Sequence, residues 1–233
     1  MVSDVRNALE QIPLPVRARV LDVATGGGHT GLLLAELGHE VTLSDLTEPM
    51  LQRAREAAEA RGLVVHFRQH PAEALPYPDC SFDLVTCRVA PHHFSEPARF
   101  VSEVSRVLAQ EGHFLLIDGT VQDDEPEAEA WLHAVEKLRD PSHHCFLTPR
   151  AWKELCAKAG LEVMVSELHP KKQPDLNWYF ETAATSEENR RTVLELIRNA
   201  PESVRRLFSL SEEEGKIVWQ WPILTLIAQK PPL

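Results

Sequence analysis

Residues 18 to 31, Ala-Arg-Val-Leu-Asp-Val-Ala-Thr-Gly-Gly-Gly-His-Thr-Gly, leave the chain few ways to fold. A short apolar run carrying Val20, Leu21 and Val23 meets a cluster of glycines and then an apolar helical stretch, which reads as strand, tight turn, helix. The run has the apolar, β-branched character of a parallel strand buried on both faces. Gly26, Gly27 and Gly28 remove the side chains that would keep a ligand away from the backbone. The helix after them, about 29 to 37 with Gly38 as its stop, directs unpaired amides at the same place. The turn therefore suits an anionic or polar end of a nucleotide-like molecule.

Asp45 gives that reading its weight. A second strand over 39 to 43 leads to it, 19 residues after Gly26, near the spacing at which an acidic side chain bonds ribose hydroxyls. The competing assignment makes Asp45 a polar cap for the next helix.

The rest of the first half keeps alternating. Thr47 is placed as the N-cap of a helix over about 48 to 61, with Pro49 in its first turn and Gly62 after it. Leu63 to Arg68 read as a third strand, and His70 to Pro78 as a proline-punctuated loop. Ser81 to Cys87 make a fourth strand, which runs into Arg88, Val89 and the polar loop His92-His93. A helix from Pro97 to about Leu108 and a fifth strand, Gly112 to Asp118, follow. Such alternation implies a doubly wound parallel sheet with right-handed crossovers. Residues 1 to 17 read as a lead-in, with one short amphipathic segment broken by Pro13 and Pro15. Beyond Asp118 the pattern predicts a helix started by the acidic stretch 123–127 and running to about Arg139, a second capped by Thr148-Pro149 and stopped at Gly160, strand six at 161–168 and strand seven at 217–229. Two helices, near 187–199 and 202–209, stand between those strands. An insertion that long implies a helical cap over the site, bounded at 170–216, within a single domain of 1–233.

Composition narrows the partners. With 233 residues and 43% hydrophobic content the chain can bury a substantial core. A net charge of −11 argues against nucleic acid, whose binding depends on basic neutralisation of phosphates. The apolar stretches are too short to span a bilayer, so no membrane association is expected and a cytoplasmic location fits. Cys80, Cys87, Cys145 and Cys156 show neither metal-ligand spacing nor disulfide-scaffold density, and no metal is expected. Nothing in the chain decides its oligomeric state, and a homodimer is compatible with it.

Five stretches in order carry a family resemblance: Val-Leu-Asp-Val-Ala-Thr-Gly-Gly-Gly at 20 to 28, Ser-Asp-Leu-Thr-Glu-Pro-Met-Leu at 44 to 51, Ala-Glu-Ala-Leu-Pro-Tyr-Pro-Asp at 72 to 79, Ser-Phe-Asp-Leu-Val-Thr at 81 to 86, and His-His-Phe at 92 to 94. Over residues 16 to 118 the chain resembles class I S-adenosylmethionine-dependent methyltransferases of the ubiquinone and menaquinone type. The resemblance implies a Rossmann-like α/β fold: a seven-stranded sheet of order 3-2-1-4-5-7-6, strand seven antiparallel, with helices on both faces. It implies S-adenosyl-L-methionine as cofactor and a small-molecule substrate. Asp22, Ala24, Gly26 and Gly28 would form the stretch that approaches the methionyl part. Asp45 would hold the ribose and Leu46 would lie on the adenine. Ala72 would offer its amide to the adenine edge, with Glu73 beside it, and Arg88 and Val89 would lie near the transferable methyl. Two departures stand out: Ala24 replaces a common first glycine, and His70-Pro71 replaces a common Gly-Asp, removing an expected acid.

Methyl transfer from a sulfonium mainly needs alignment and exclusion of water. A hydroxyl acceptor would gain from a base, and His92, His93 and His143, with His144, are the candidates. Asp118 divides evenly between contacting the acceptor and capping a turn. Trp178, Tyr179, Phe180, Trp219 and Trp221 could stack on a flat acceptor, although packing of the insertion is the simpler role. Two alternatives remain: a degenerate, noncatalytic cofactor-binding or interaction protein, and a nicotinamide dehydrogenase, since Gly26 to Gly31 also satisfy G-x-G-x-x-G. The dehydrogenase would lack the antiparallel strand.

Overall fold

Apolar runs and amphipathic stretches alternate in space as they do along the chain. A computed structural model describes residues 2–173, 175–214 and 216–232. Its first half holds α1 (Ser3–Leu9), β1 (Arg19–Val23), α2 (His29–Glu36), β2 (Glu40–Asp45), α3 (Glu48–Ala60), β3 (His66–Gln69), β4 (Phe82–Arg88), a 3-10 turn (Pro91–His93), α4 (Pro97–Val107) and β5 (Leu108–Gly119). The second half holds α5 (Pro126–Arg139), α6 (Pro149–Lys158), β6 (Glu162–Lys172), α7 (Leu176–Glu181), α8 (Glu187–Arg198), α9 (Glu202–Leu207), β7 (Ser211–Glu213), β8 (Lys216–Val218) and β9 (Gln220–Gln229).

The main sheet has the order β3-β2-β1-β4-β5-β9-β6, with β1 to β5 parallel and β9 antiparallel to both β5 and β6. This is the expected order, with the final strand now ninth. The antiparallel β9 removes the dehydrogenase alternative. One correction concerns strand seven, expected as a single run over 217–229: Lys216–Val218 instead pairs with β7 in a separate two-stranded ribbon. The break falls at Trp219, whose side chain is buried among the second-half helices and whose carbonyl accepts from the Gln173 amide.

The inner strands are apolar on both faces because both are covered. Val20, Leu84 and Leu115 pack with Val5 and Ala8 of α1 and Leu32 to Leu34 of α2. Leu21, Val85 and Leu116 pack on the other side with Phe100 and Val104 of α4 and Trp152 of α6. The edges, β3 and β6, are short or charged and largely exposed, which discourages pairing with another sheet. A third core joins α5, α7, α8 and α9 and takes up Tyr179, Phe180 and Trp219; packing claims these rings, while Trp178 is exposed. Among the described residues no helix is long and apolar enough to cross a membrane.

Candidate functional site

The carboxyl end of β1 turns sharply, and Asp22 holds the turn. Its Oδ1 accepts from Thr86 Oγ1 of β4 at 2.6 Å, and its Oδ2 accepts from the Gly31 amide at 3.1 Å and from the Thr25 hydroxyl. Asp22 is 1% exposed. Burial pushes its carboxyl up, against the pull of the Thr25, Thr86 and Gly31 hydrogen bonds. Its side chain thus serves the bend and is enclosed by protein.

Within the bend Ala24 (φ +52°), Gly26 (φ +53°) and Gly28 (φ +83°) take left-handed backbone conformations. Ala24 therefore adopts the conformation that glycine would adopt more cheaply. A Cβ added at Gly26 meets nothing within 4 Å, so open space adjoins the backbone there. A Cβ at Gly31 would fall 2.0 Å from Leu43 Cδ2, which makes this glycine the one that lets α2 lie against β2.

Asp45, at the tip of β2, faces the same bend. Its Oδ2 accepts from the Gly26 amide at 3.0 Å, and its Oδ1 accepts from the amide and hydroxyl of Thr47 at 3.0 and 3.1 Å. Asp45 thus braces the start of α3, as the capping assignment expects, and also reaches the glycine bend. Thr47 occupies the N-cap position of α3 but turns its hydroxyl to Asp45 instead of capping the helix. Leu46 is 62% exposed beside it.

At the tip of β3, His70 is buried. Its Nδ1 lies 2.9 Å from the Pro71 carbonyl and its Nε2 3.0 Å from the Tyr77 hydroxyl. A carbonyl only accepts, so Nδ1 carries the proton and Nε2 accepts from Tyr77. Burial pushes the His70 pKa down and raises Tyr77 to about 12. His70 therefore stands as a neutral brace at the start of the loop. Ala72 is buried and Glu73 half-buried in the loop that follows.

At the end of β4, the Arg88 guanidinium binds Asp4 of α1, with Nη2 2.8 Å from Oδ2. Val89 follows at φ +53° and is 47% exposed. These residues border a cavity of about 780 Å³ whose other walls are α1, the end of β6 and the start of β9. α1 thus walls a cavity, where residues 1 to 17 were expected only as a lead-in. An acid in the first turn of the amphipathic segment was the available signal.

The histidines gather on the neighbouring strand tips. His92 Nδ1 lies 2.7 Å from Asp118 Oδ1, and the His92 amide donates to Oδ2 at 2.9 Å. Burial opposes the imidazolium, but the charge and hydrogen bond of Asp118 outweigh it, so His92 titrates above its ordinary range. His93 Nδ1 lies 3.1 Å from the Ser142 hydroxyl, and burial with the nearby His92 pushes its pKa down. His143 departs from expectation. It is 1% exposed under Phe146 and His92, both ring nitrogens lack partners among the described residues, and burial pushes its pKa down to about 3. A sealed, neutral ring cannot meet an incoming acceptor. His144 and Cys145 donate their amides to the His92 carbonyl, which fastens this loop over the 3-10 turn. Among the described residues no three His, Cys, Asp or Glu side chains are grouped to hold a metal.

Comparison with known proteins agrees with this architecture. A family profile described as "Methyltransferase domain" matches residues 21–116. The chain is 44% identical over 126 residues to the uncharacterized methyltransferase YcgJ of Bacillus subtilis, covering 54% of this chain and 49% of that protein. It is 42% identical over 113 residues to the demethylmenaquinone methyltransferase of Thermus thermophilus, covering 48% and 50%. The chain spans about half the length of these curated relatives. A crystallised Bacillus halodurans protein assigned as a methyltransferase superposes with a TM-score of 0.92 at 32% identity, over 98% of this chain and 99% of that one. That likeness, over nearly all of both chains, leads to one conclusion: the chain belongs to the class I S-adenosylmethionine-dependent methyltransferases.

Proposed function

We propose that this protein transfers a methyl group from S-adenosylmethionine to a small-molecule acceptor by in-line displacement. The observation that carries the reading is the open space at Gly26 with the Asp45 carboxylate beside it, at the adjoining tips of β1 and β2. A bound nucleoside fits this pair. Oδ1 already accepts from the amide and the hydroxyl of Thr47, but Oδ2 accepts only from the Gly26 amide, so Asp45 can keep its protein donors and still accept from one ribose hydroxyl through Oδ2. The exposed Leu46 offers an apolar surface to the adenine, with the Ala72 amide and Glu73 at its edge. Gly26 to Gly28 and the start of α2 would receive the methionyl end, and Arg88 and Val89 would border the methyl.

S-adenosylmethionine supplies an activated methyl on a good leaving group, so the protein chiefly aligns and desolvates. Where the acceptor is a hydroxyl, His92, with its Nδ1 held by Asp118, is the candidate base, although it is not among the residues that line the cavity at Arg88 and Val89. The acidic balance of the chain favours a small molecule over nucleic acid. Four free cysteines fit a reducing cytoplasm.

Calorimetry with S-adenosylhomocysteine tests the reading. Binding in the micromolar to low millimolar range is expected, and no heat of binding with folded protein overturns it.

A further inference from the structure

We propose that the cavity between α1 and the β6–β9 ribbon is the acceptor pocket and that it selects an anionic small molecule, held at its charged end by Lys171 and Lys172. The inference rests on the methyltransferase reading, because it uses Val89 as the methyl-proximal border.

Size comes first. A volume of about 780 Å³ lies within the range of small-molecule sites, roughly 300 to 1,000 Å³. Position comes next: the cavity begins at Arg88 and Val89, at the end of β4, and β4 pairs with β1, whose glycine bend is the cofactor candidate. An acceptor in the cavity therefore reaches the methyl region across Val89.

Charge decides the class. The chain as a whole carries −11, yet this cavity is lined by three permanent cations, Arg88, Lys171 and Lys172, against two carboxylates, Asp4 and Glu167. Asp4 is bound to Arg88. Glu167 lies 3.5 Å from His169. Lys171 and Lys172 have no carboxylate within ion-pair distance among the described residues, so with Glu167 counted against them a surplus of one cation remains at the mouth formed by β6. A local positive potential on an acidic protein draws anions and repels ammonium groups. A neutral ligand would leave both lysines unused. The pocket also has an apolar side in Ala8, Val89 and Ile223. The fitting ligand therefore has an apolar body and a carboxylate or phosphate at one end. The α1 wall, tied down by Asp4 and Arg88, closes the side away from β6.

The test uses the full chain with saturating S-adenosylhomocysteine and four probes: phenyl phosphate, benzoate, benzyl alcohol and benzylamine. Ligand-observed NMR and calorimetry are expected to rank the two anions about tenfold or more above the alcohol and the amine, with affinity falling as salt rises. The double variant Lys171→Glu/Lys172→Glu is expected to lose about tenfold or more for phenyl phosphate while binding S-adenosylhomocysteine as the parent does. Both lysines are exposed, so circular dichroism should report an intact fold. Four results overturn the inference: anions binding no better than the amine or alcohol, no anion binding up to about 10 mM, unchanged phenyl phosphate affinity in the double variant, or loss of S-adenosylhomocysteine binding in that variant, which would assign the lysines to the cofactor. Failure of the parent chain to bind S-adenosylhomocysteine would instead overturn the methyltransferase reading itself.

Discussion

The Gly26 amide donates to Oδ2 of Asp45 at 3.0 Å, which ties the bend after β1 to the tip of β2. One carboxylate thereby joins the two strand tips and keeps a single acceptor position, on Oδ2, free of protein donors.

Replacing Asp45 with Ala should weaken S-adenosylhomocysteine binding by about 1 to 3 kcal/mol, the worth of hydrogen bonds to a charged group. Calorimetry on parent and variant checks this. Unchanged affinity in a folded variant would show that the ribose lies elsewhere.

Gly31→Ala places a Cβ 2.0 Å from Leu43 Cδ2 and 3.2 Å from Asp22 Oδ2, in a core without spare volume. Overpacking there should cost about 1 to 3 kcal/mol in urea unfolding. A variant as stable as the parent would mean that α2 can retreat from β2 freely.

His92 should titrate above its ordinary value of about 6.5 because Asp118 outweighs the effect of burial. The stability this pair contributes is complete below that ordinary value and fades as pH rises through the higher folded pKa. Asp118→Asn removes the charge but keeps the burial, so the His92 pKa should drop below about 6.5 in an NMR titration of the imidazole. A His92 titration that ignores the substitution would dissolve the proposed pairing.

His143 works in the opposite direction. Its folded pKa is about 3 against an ordinary value of about 6.5, so between those values the unfolded chain binds a proton that the folded chain does not. Stability should fall as pH falls through this window, at up to about 1.4 kcal/mol per pH unit from this group. His143→Phe should flatten that dependence when denaturant unfolding is compared at pH 7 and pH 5. An unchanged slope counts against the sealed ring.

Much of the fold was legible because burial leaves a periodic trace. Val20 and Leu21 pack on opposite faces of β1, as a doubly covered strand requires, and the stretch around Asp45 emerged at the tip of β2. The split of the last strand was not legible, since Lys216–Val218 and Gln220–Gln229 look like one apolar run until Trp219 is seen to be buried among the helices. The role of His70 was equally hidden: its partner Tyr77 lies seven residues on, and composition does not show that the ring is neutral and braced.

The sequence by itself determined the strand, glycine bend and helix around Gly26, the alternation that builds a parallel sheet, and the family. Local periodicity and turn chemistry are properties of neighbouring residues, so they can be read along the chain. Only the tertiary structure decided which polar side chains meet: Asp4 with Arg88 across 84 residues, His92 with Asp118 across 26, and two lysines beside a cavity walled by α1. The reason is physical. Hydrophobic patterning records how deeply a residue is buried, but a hydrogen bond or ion pair depends on separations of a few ångströms that exist only once the chain has packed.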